Sequence, residues 1–203
     1  MTAADELTLA SLLVSRLMHD LAASAGAVGN GIEMLKEEGA DAGAIELLEF
    51  SAGETVRRLE FFRLAFGAAG GLGVRQPLDE ARTKTRAFFE GRRVRIEWPT
   101  GGATDAPQPV VKLILNLVLL AAEALPKGGT VTVALGERLL GVIAAGTGAA
   151  LSDEKKSALS GNPGALNARL VQPYYAGALA RAVQSTIAVD ESPDRVAMSV
   201  VLA

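Results

Sequence analysis

The stretch VSRLMHDLAASAGAVGNGIEML, residues 14–35, decides how the first third of this chain folds. From Val14 its apolar residues Leu17, Met18, Leu21, Ala25, Val28, Ile32 and Leu35 recur at steps of three and four, which places them on one helix face. A second stripe follows in Ile45, Leu48, Ala52, Val56, Leu59, Phe62 and Phe66, and residues 37–41 between the two carry a glycine and charges, the mark of a turn. Two helices joined this closely pack antiparallel. Alone they would expose too much apolar surface, so the pattern predicts a four-helix bundle built with a second copy.

Outward from the hairpin, the glycine-rich segment GAAGGLGVRQP (67–77) reads as a linker and sets a domain boundary, 1–70 and 71–203. Beyond it the pattern predicts a helix at 78–90, a strand at 94–98 and a strongly apolar buried helix at 110–125. Pro126-Lys127-Gly128-Gly129 is a turn leading to strands at 130–135 and 139–145. A helix over 166–183 then precedes strands at 186–189 and 195–202. Helices against a mostly antiparallel sheet make a two-layer α/β sandwich. The whole chain is therefore α+β: an antiparallel helical hairpin forming a dimeric four-helix bundle, followed by that sandwich.

Composition removes several function classes. With no cysteine and one histidine, disulfides, thiolate metal sites and a zinc site built by the protein are set aside; no metal is expected. A net charge of −3 gives no support to a nucleic-acid partner. No apolar run spans a membrane, and the first ten residues lack the pattern of a secretion signal, so the expectation is a cytoplasmic protein without membrane contact.

The single histidine, His19, falls far from the apolar stripe when the first helix is drawn at 100° per residue. Its neighbours on that outer face include Arg16, Ala22, Ala23, Gly26 and Asn30, unusually small on the turns after the histidine. A glycine inside a helix costs about 1 kcal/mol relative to alanine, and Gly26 points to a need for clearance. Small residues would let another protein approach the imidazole. Imidazole is a nucleophile at neutral pH and needs no activating triad when the leaving group is an acyl phosphate. Asp20 could orient the ring or offset the imidazolium, and Arg16, one turn earlier, could meet phosphoryl oxygens or an acidic partner surface. A lone histidine beside an aspartate on a helix is, however, usually only a solvated residue.

Arg16-Leu17-Met18-His19-Asp20-Leu21 resembles the H-box of sensor histidine kinases, and the second domain resembles their ATP-binding domain in its order of elements. Asn116-Leu117-Val118-Leu119-Leu120-Ala121 is similar to an N-box and Ala144-Ala145-Gly146-Thr147-Gly148 to a D-x-G-x-G box, with Asn167-Ala168-Arg169-Leu170 where a glycine-rich box would lie. These motifs are damaged consistently. Ala144 stands where an acid would receive the adenine amino group, and Leu120 where an asparagine would hold Mg2+; neither side chain can do so. Asn116 remains. The resemblance implies a degenerate nucleotide site that binds no ATP.

A histidine hairpin joined to such a domain is similar to the ChpT-like histidine phosphotransferases of alphaproteobacteria, as are Arg63-Leu64-Ala65-Phe66-Gly67 and Leu125-Pro126-Lys127-Gly128-Gly129. That family implies a homodimer that takes phosphate from the receiver domain of a CckA-like hybrid histidine kinase. It passes the phosphate to CtrA-like and CpdR-like response regulators of the cell cycle. His19 would be the catalytic nucleophile with Asp20 beside it, and Arg16, Ala22, Ala23 and Gly26 the partner-binding face. No cofactor is tightly held, and Mg2+ is expected from the receiver. The chain departs from kinase hairpins at Ser24, where proline is common, and at Ala23, where threonine or asparagine serves phosphatase chemistry. Two other readings stay open: a fragment of an ATP-dependent histidine kinase, and a non-catalytic dimeric scaffold in which His19 is incidental.

Overall fold

The computed structural model describes residues 3–38, 42–67 and 74–202, and the chain forms two compact units that divide between Arg63 and Leu64. The first contains helix α1 (Ala3–Glu38) and most of α2 (Ala42–Phe66). Asp5 and Glu6 lie in the first turn of α1, where the helix dipole favours acids. Glu37 and Glu38, read from sequence as part of the turn, are still helical, and residues 39–41 lie outside the described residues. Leu48 lies against Gly31 and Arg58 against Asp20, so α2 retreats along α1 and the helices are antiparallel.

The single stripe expected on each helix divides in two. At the seam are small buried residues, Ser24 and Gly31 on α1 and Ala44 and Ser51 on α2. A Cβ added to Gly31 would stand 3.3 Å from Leu48 Cδ1, so the glycine lets the helices close there. Val14, Met18 and Ile32 on α1, and Ile45, Val56 and Leu59 on α2, are exposed. The helical repeat puts each exposed set roughly 100° from its own seam residues. Antiparallel pairing brings both sets to the same side of the hairpin. His19 lies roughly 130° from the seam in the other direction, together with Phe50, which is 65% exposed.

The second unit begins with the last turn of α2. Phe66 stacks on Tyr175 with 5.7 Å between ring centroids, and Asn116 Nδ2 donates to the Ala65 carbonyl at 3.1 Å. These contacts explain why the unit boundary precedes residue 70. Residues 68–73 of the expected linker are outside the described residues, and its end is a short strand, β1 (Arg75–Pro77), paired antiparallel with β3 (Asp105–Pro107). Three-residue strands carry no readable period, and neither was expected.

The main sheet has the order β2-β4-β5-β7-β6, formed by β2 (Val94–Glu97), β4 (Gly129–Leu135), β5 (Leu139–Ala145), β6 (Ile187–Ser192) and β7 (Arg195–Val201). Only the β2–β4 pair is parallel. One face presents two apolar rows across the sheet, Val131–Ala144–Val196 and Val133–Val142–Met198, all buried. Helix α3 (Leu78–Phe89) packs on β2 and on α4 (Gln108–Glu123), and α4, buried along nearly its whole length, packs on β4, β5 and α6 (Val171–Ala182). Helix α6 starts later than the expected residue 166. A seven-residue helix, α5 (Asp153–Leu159), precedes it, too short for periodicity to reveal. Ser152 caps α5 by accepting the Lys155 N–H, and ion pairs from Lys155 to Glu123 (2.7 Å) and from Lys156 to Glu191 (2.6 Å) hold it in place.

Candidate functional site

His19 is exposed, and its imidazole makes no hydrogen bond or ion pair with any described residue. Ala22, Ala23, Gly26 and Asn30, predicted to share its face, are exposed as well. A Cβ on Gly26 would meet nothing within 4 Å, so no neighbour in this chain requires the glycine. Arg16 is half-buried. Its Nε lies 3.8 Å from Asp20 Oδ2, so the Asp20 carboxylate leans back one turn toward the arginine. Arg16 and Asp20 are thus brought together, while the imidazole stands apart from both.

Sequence reasoning expected part of the second helix at the docking face but named none of its residues. Arg58 Nη1 donates to the Asp20 carbonyl at 2.9 Å, and Arg58 Nε donates to Glu54 Oε2 at 3.3 Å. The second oxygen of Glu54 accepts from Arg57 Nη2 at 3.1 Å. A groove of about 210 Å³ lies between the helices, lined by Ala23, Ser24, Ala27, Phe50, Glu54 and Arg58 among others. Ala23 is one turn beyond His19, so the groove opens on the histidine's side. Ser24, in the place of the kinase proline, is buried and donates to the Leu21 carbonyl at 3.1 Å. The exposed Phe50, an aromatic off the apolar stripe, was the available signal.

The residues named for the nucleotide site lie elsewhere and are closed to solvent: Asn116, Leu120 and Ala144 each have 0% exposure. Asn116 spends its amide on the carbonyls of Ala65 and Lys112 and accepts from Gln172 Nε2 at 3.2 Å. Ala144 stands in the sheet core between Val131 and Val196. Where a glycine-rich box would cradle phosphates, Asn167 Oδ1 accepts the N–H groups of Arg169 and Leu170 in the turn that precedes α6. After β5, Gly146 N donates to the Asp194 carbonyl and Gly148 N to the Asp194 carboxylate, which closes that loop onto the β6–β7 turn.

Leu125-Pro126-Lys127-Gly128-Gly129 also finds a structural reason. Gly128 has φ +85° and Gly129 φ +148°, and a Cβ on either would collide with backbone carbonyl oxygens, of Arg93 and Ala145 respectively. A Cβ on Gly146 would strike the Gly128 carbonyl. Three glycines thus let the β2, β4 and β5 ends cross at backbone distance.

Among the described residues there is no group of three or more metal-ligating side chains, and no helix long and apolar enough to cross a membrane.

Comparison with known proteins agrees with this arrangement. Protein phosphotransferase ChpT of Brucella abortus (strain 2308) is 40% identical over 129 residues, which are 64% of this chain and 61% of the relative, less than two thirds of its length. A solved bacterial phosphotransferase is 31% identical and superposes with a TM-score of 0.83 over 98% of this chain and 97% of its own. Histidine kinase ThkA, solved in complex with response regulator protein TrrA, shares the fold at 15% identity and a TM-score of 0.50, over 98% of this chain and 63% of its own. Residues 78–195 match the family described as the histidine phosphotransferase C-terminal domain, and with more than half of its length inside that match, this chain belongs to the histidine phosphotransferase family.

Proposed function

We propose that this protein relays a phosphoryl group between the aspartates of receiver domains through His19, without ATP. An imidazole nitrogen of His19 attacks the phosphorus of a receiver's aspartyl phosphate in line. The N–P bond forms as the P–O bond to the aspartate breaks, and the carboxylate leaves. The reverse step delivers the group to the aspartate of a second receiver. Charge on the phosphoryl oxygens is offset on the receiver's side, where Mg2+ is held; this chain contributes position.

The observation that carries this reading is the exposed, unpartnered imidazole on the side of the hairpin opposite the apolar flank. A second copy covering that flank through Val14, Met18, Val56 and Leu59 would leave both histidines open, which supports a homodimeric four-helix bundle. The buried Asn116, Leu120 and Ala144 favour the relay over an ATP-dependent kinase, because Leu120 and Ala144 offer no polar atom to metal or adenine and the Asn116 amide is already engaged within the core. The phosphodonor proposed is the receiver domain of a CckA-like hybrid kinase, and the acceptors are CtrA-like and CpdR-like regulators. The setting is the cytoplasm.

Incubation with a phosphorylated receiver tests the reading. Label is expected on the wild-type chain and absent from His19→Gln; adding ATP alone should label neither. Labelling of His19→Gln, or no labelling of the wild type by any phosphorylated receiver, would overturn it.

A further inference from the structure

We infer that Arg58 is a positioning residue for transfer at His19: anchored by Glu54, it fixes the second helix against the turn that carries the imidazole. The inference rests on the relay reading above and concerns how α2 takes part in it.

The seam between the helices is not uniform. Toward the hairpin turn, Leu48 fills the space over Gly31, with contacts of 3.3 to 3.5 Å. Beside His19 the seam residues are Ala23, Ser24 and Ala27 facing Ser51, and the groove of about 210 Å³ remains between the helices. Small side chains around a groove interdigitate little. A polar link joins the helices here: the Arg58 guanidinium crosses to the Asp20 carbonyl at 2.9 Å, one residue after His19.

That guanidinium is fixed at both ends. Its Nε is held by Glu54 Oε2, and Glu54 is itself held through its other oxygen by Arg57. A planar donor set engaging two acceptors has a defined orientation, which an ammonium could not reproduce. A folded receiver is wider than one helix, about 10–12 Å across, so a partner whose aspartate reaches His19 also lies over the groove and α2. The spacing and register of the two helices then decide whether the imidazole meets the phosphorus in line. A misplacement of about 1 Å can cost roughly 100-fold in rate.

The test is the kinetics of phosphoryl transfer from one phosphorylated receiver to Arg58→Ala, Arg58→Lys and Glu54→Gln of the full chain, with circular dichroism and solution mass recorded for each. For Arg58→Ala, kcat is expected to fall roughly 10- to 100-fold, with the receiver KM within about threefold of wild type. Arg58→Lys should recover part of the loss, because an ammonium still reaches the carbonyl but is not aligned by Glu54. Glu54→Gln should move kcat in the same direction by less. An unchanged kcat in a folded Arg58→Ala overturns the inference. So does a raised KM with kcat intact, which would make Arg58 a docking residue. If Arg58→Ala fails to fold, the same criteria apply to Arg58→Lys and Glu54→Gln. A wild-type chain that takes no phosphate would instead sink the relay itself, so the two failures are distinguishable.

Discussion

A single methyl group separates two kinds of glycine in this chain. In α6, a Cβ on Gly177 would collide with the Leu159 carbonyl at the end of α5. Backbone cannot yield as a side-chain tip can, so Gly177→Ala is expected to destabilise the protein by about 1–3 kcal/mol in denaturant unfolding. At Gly26 the added methyl meets nothing. There the same substitution should stabilise α1 by about 1 kcal/mol while raising the receiver KM, because the methyl enters the approach to His19. An unchanged KM would show that the clearance is not used. At this scale the face that carries His19 was legible from sequence. That His19, Ala22, Ala23 and Gly26 share it follows from the helical repeat, since one helix fixes which residues share a face, whereas the role assigned to His19 came from the resemblance of its box. Arg58 was not legible, because its partner is a backbone carbonyl on another helix, 38 residues away.

Among the elements, the hairpin and the sheet were readable and α5 was not. Strand β5 runs over the expected 139–145, a short apolar and β-rich run that follows a turn and the strand before it. The division of each hairpin stripe into seam and flank was hidden, since hydrophobicity says that a face is covered but not by which neighbour. The distinction is testable within α2. Leu48, half-buried over Gly31, belongs to the seam, so Leu48→Glu should bury a charge and lower helicity measured by circular dichroism. Helix α5 offers a pH prediction instead. The hydrogen bond between Lys156 and Glu191 is the first cause both of the lowered Glu191 pKa and of the raised Lys156 pKa, with the Leu151 N–H and Asp153 adding to each in turn. A depressed carboxylate stabilises above its ordinary value and ceases to do so as pH falls through the lowered one. A raised lysine stabilises below its ordinary value and ceases to as pH rises through the higher one. Protection of the Ala158 and Leu159 amides, taken as exchange relative to the unfolded chain at the same pH, should therefore be greatest between the ordinary carboxylate and lysine values and fall beyond either end. Protection independent of pH would mean the pair does not hold α5.

For the whole molecule the decisive property is what the exposed flank of the hairpin does in solution. Leu59 is 57% exposed and Val56 55%, so Leu59→Glu is expected to halve the solution mass while leaving helicity intact, unlike the seam variant. A monomeric wild type would remove the four-helix bundle. The second unit raises a different matter, which begins at the crossing of Gly128, Gly129 and Gly146. Their backbones touch so closely that no side chain fits, and this demand comes from the sheet, with no reference to any ligand. Exchanging a polar residue nearby would leave the sheet closed, whereas exchanging one of these glycines would open it. Glycines at such a crossing record the architecture of the sheet, whatever chemistry the chain performs.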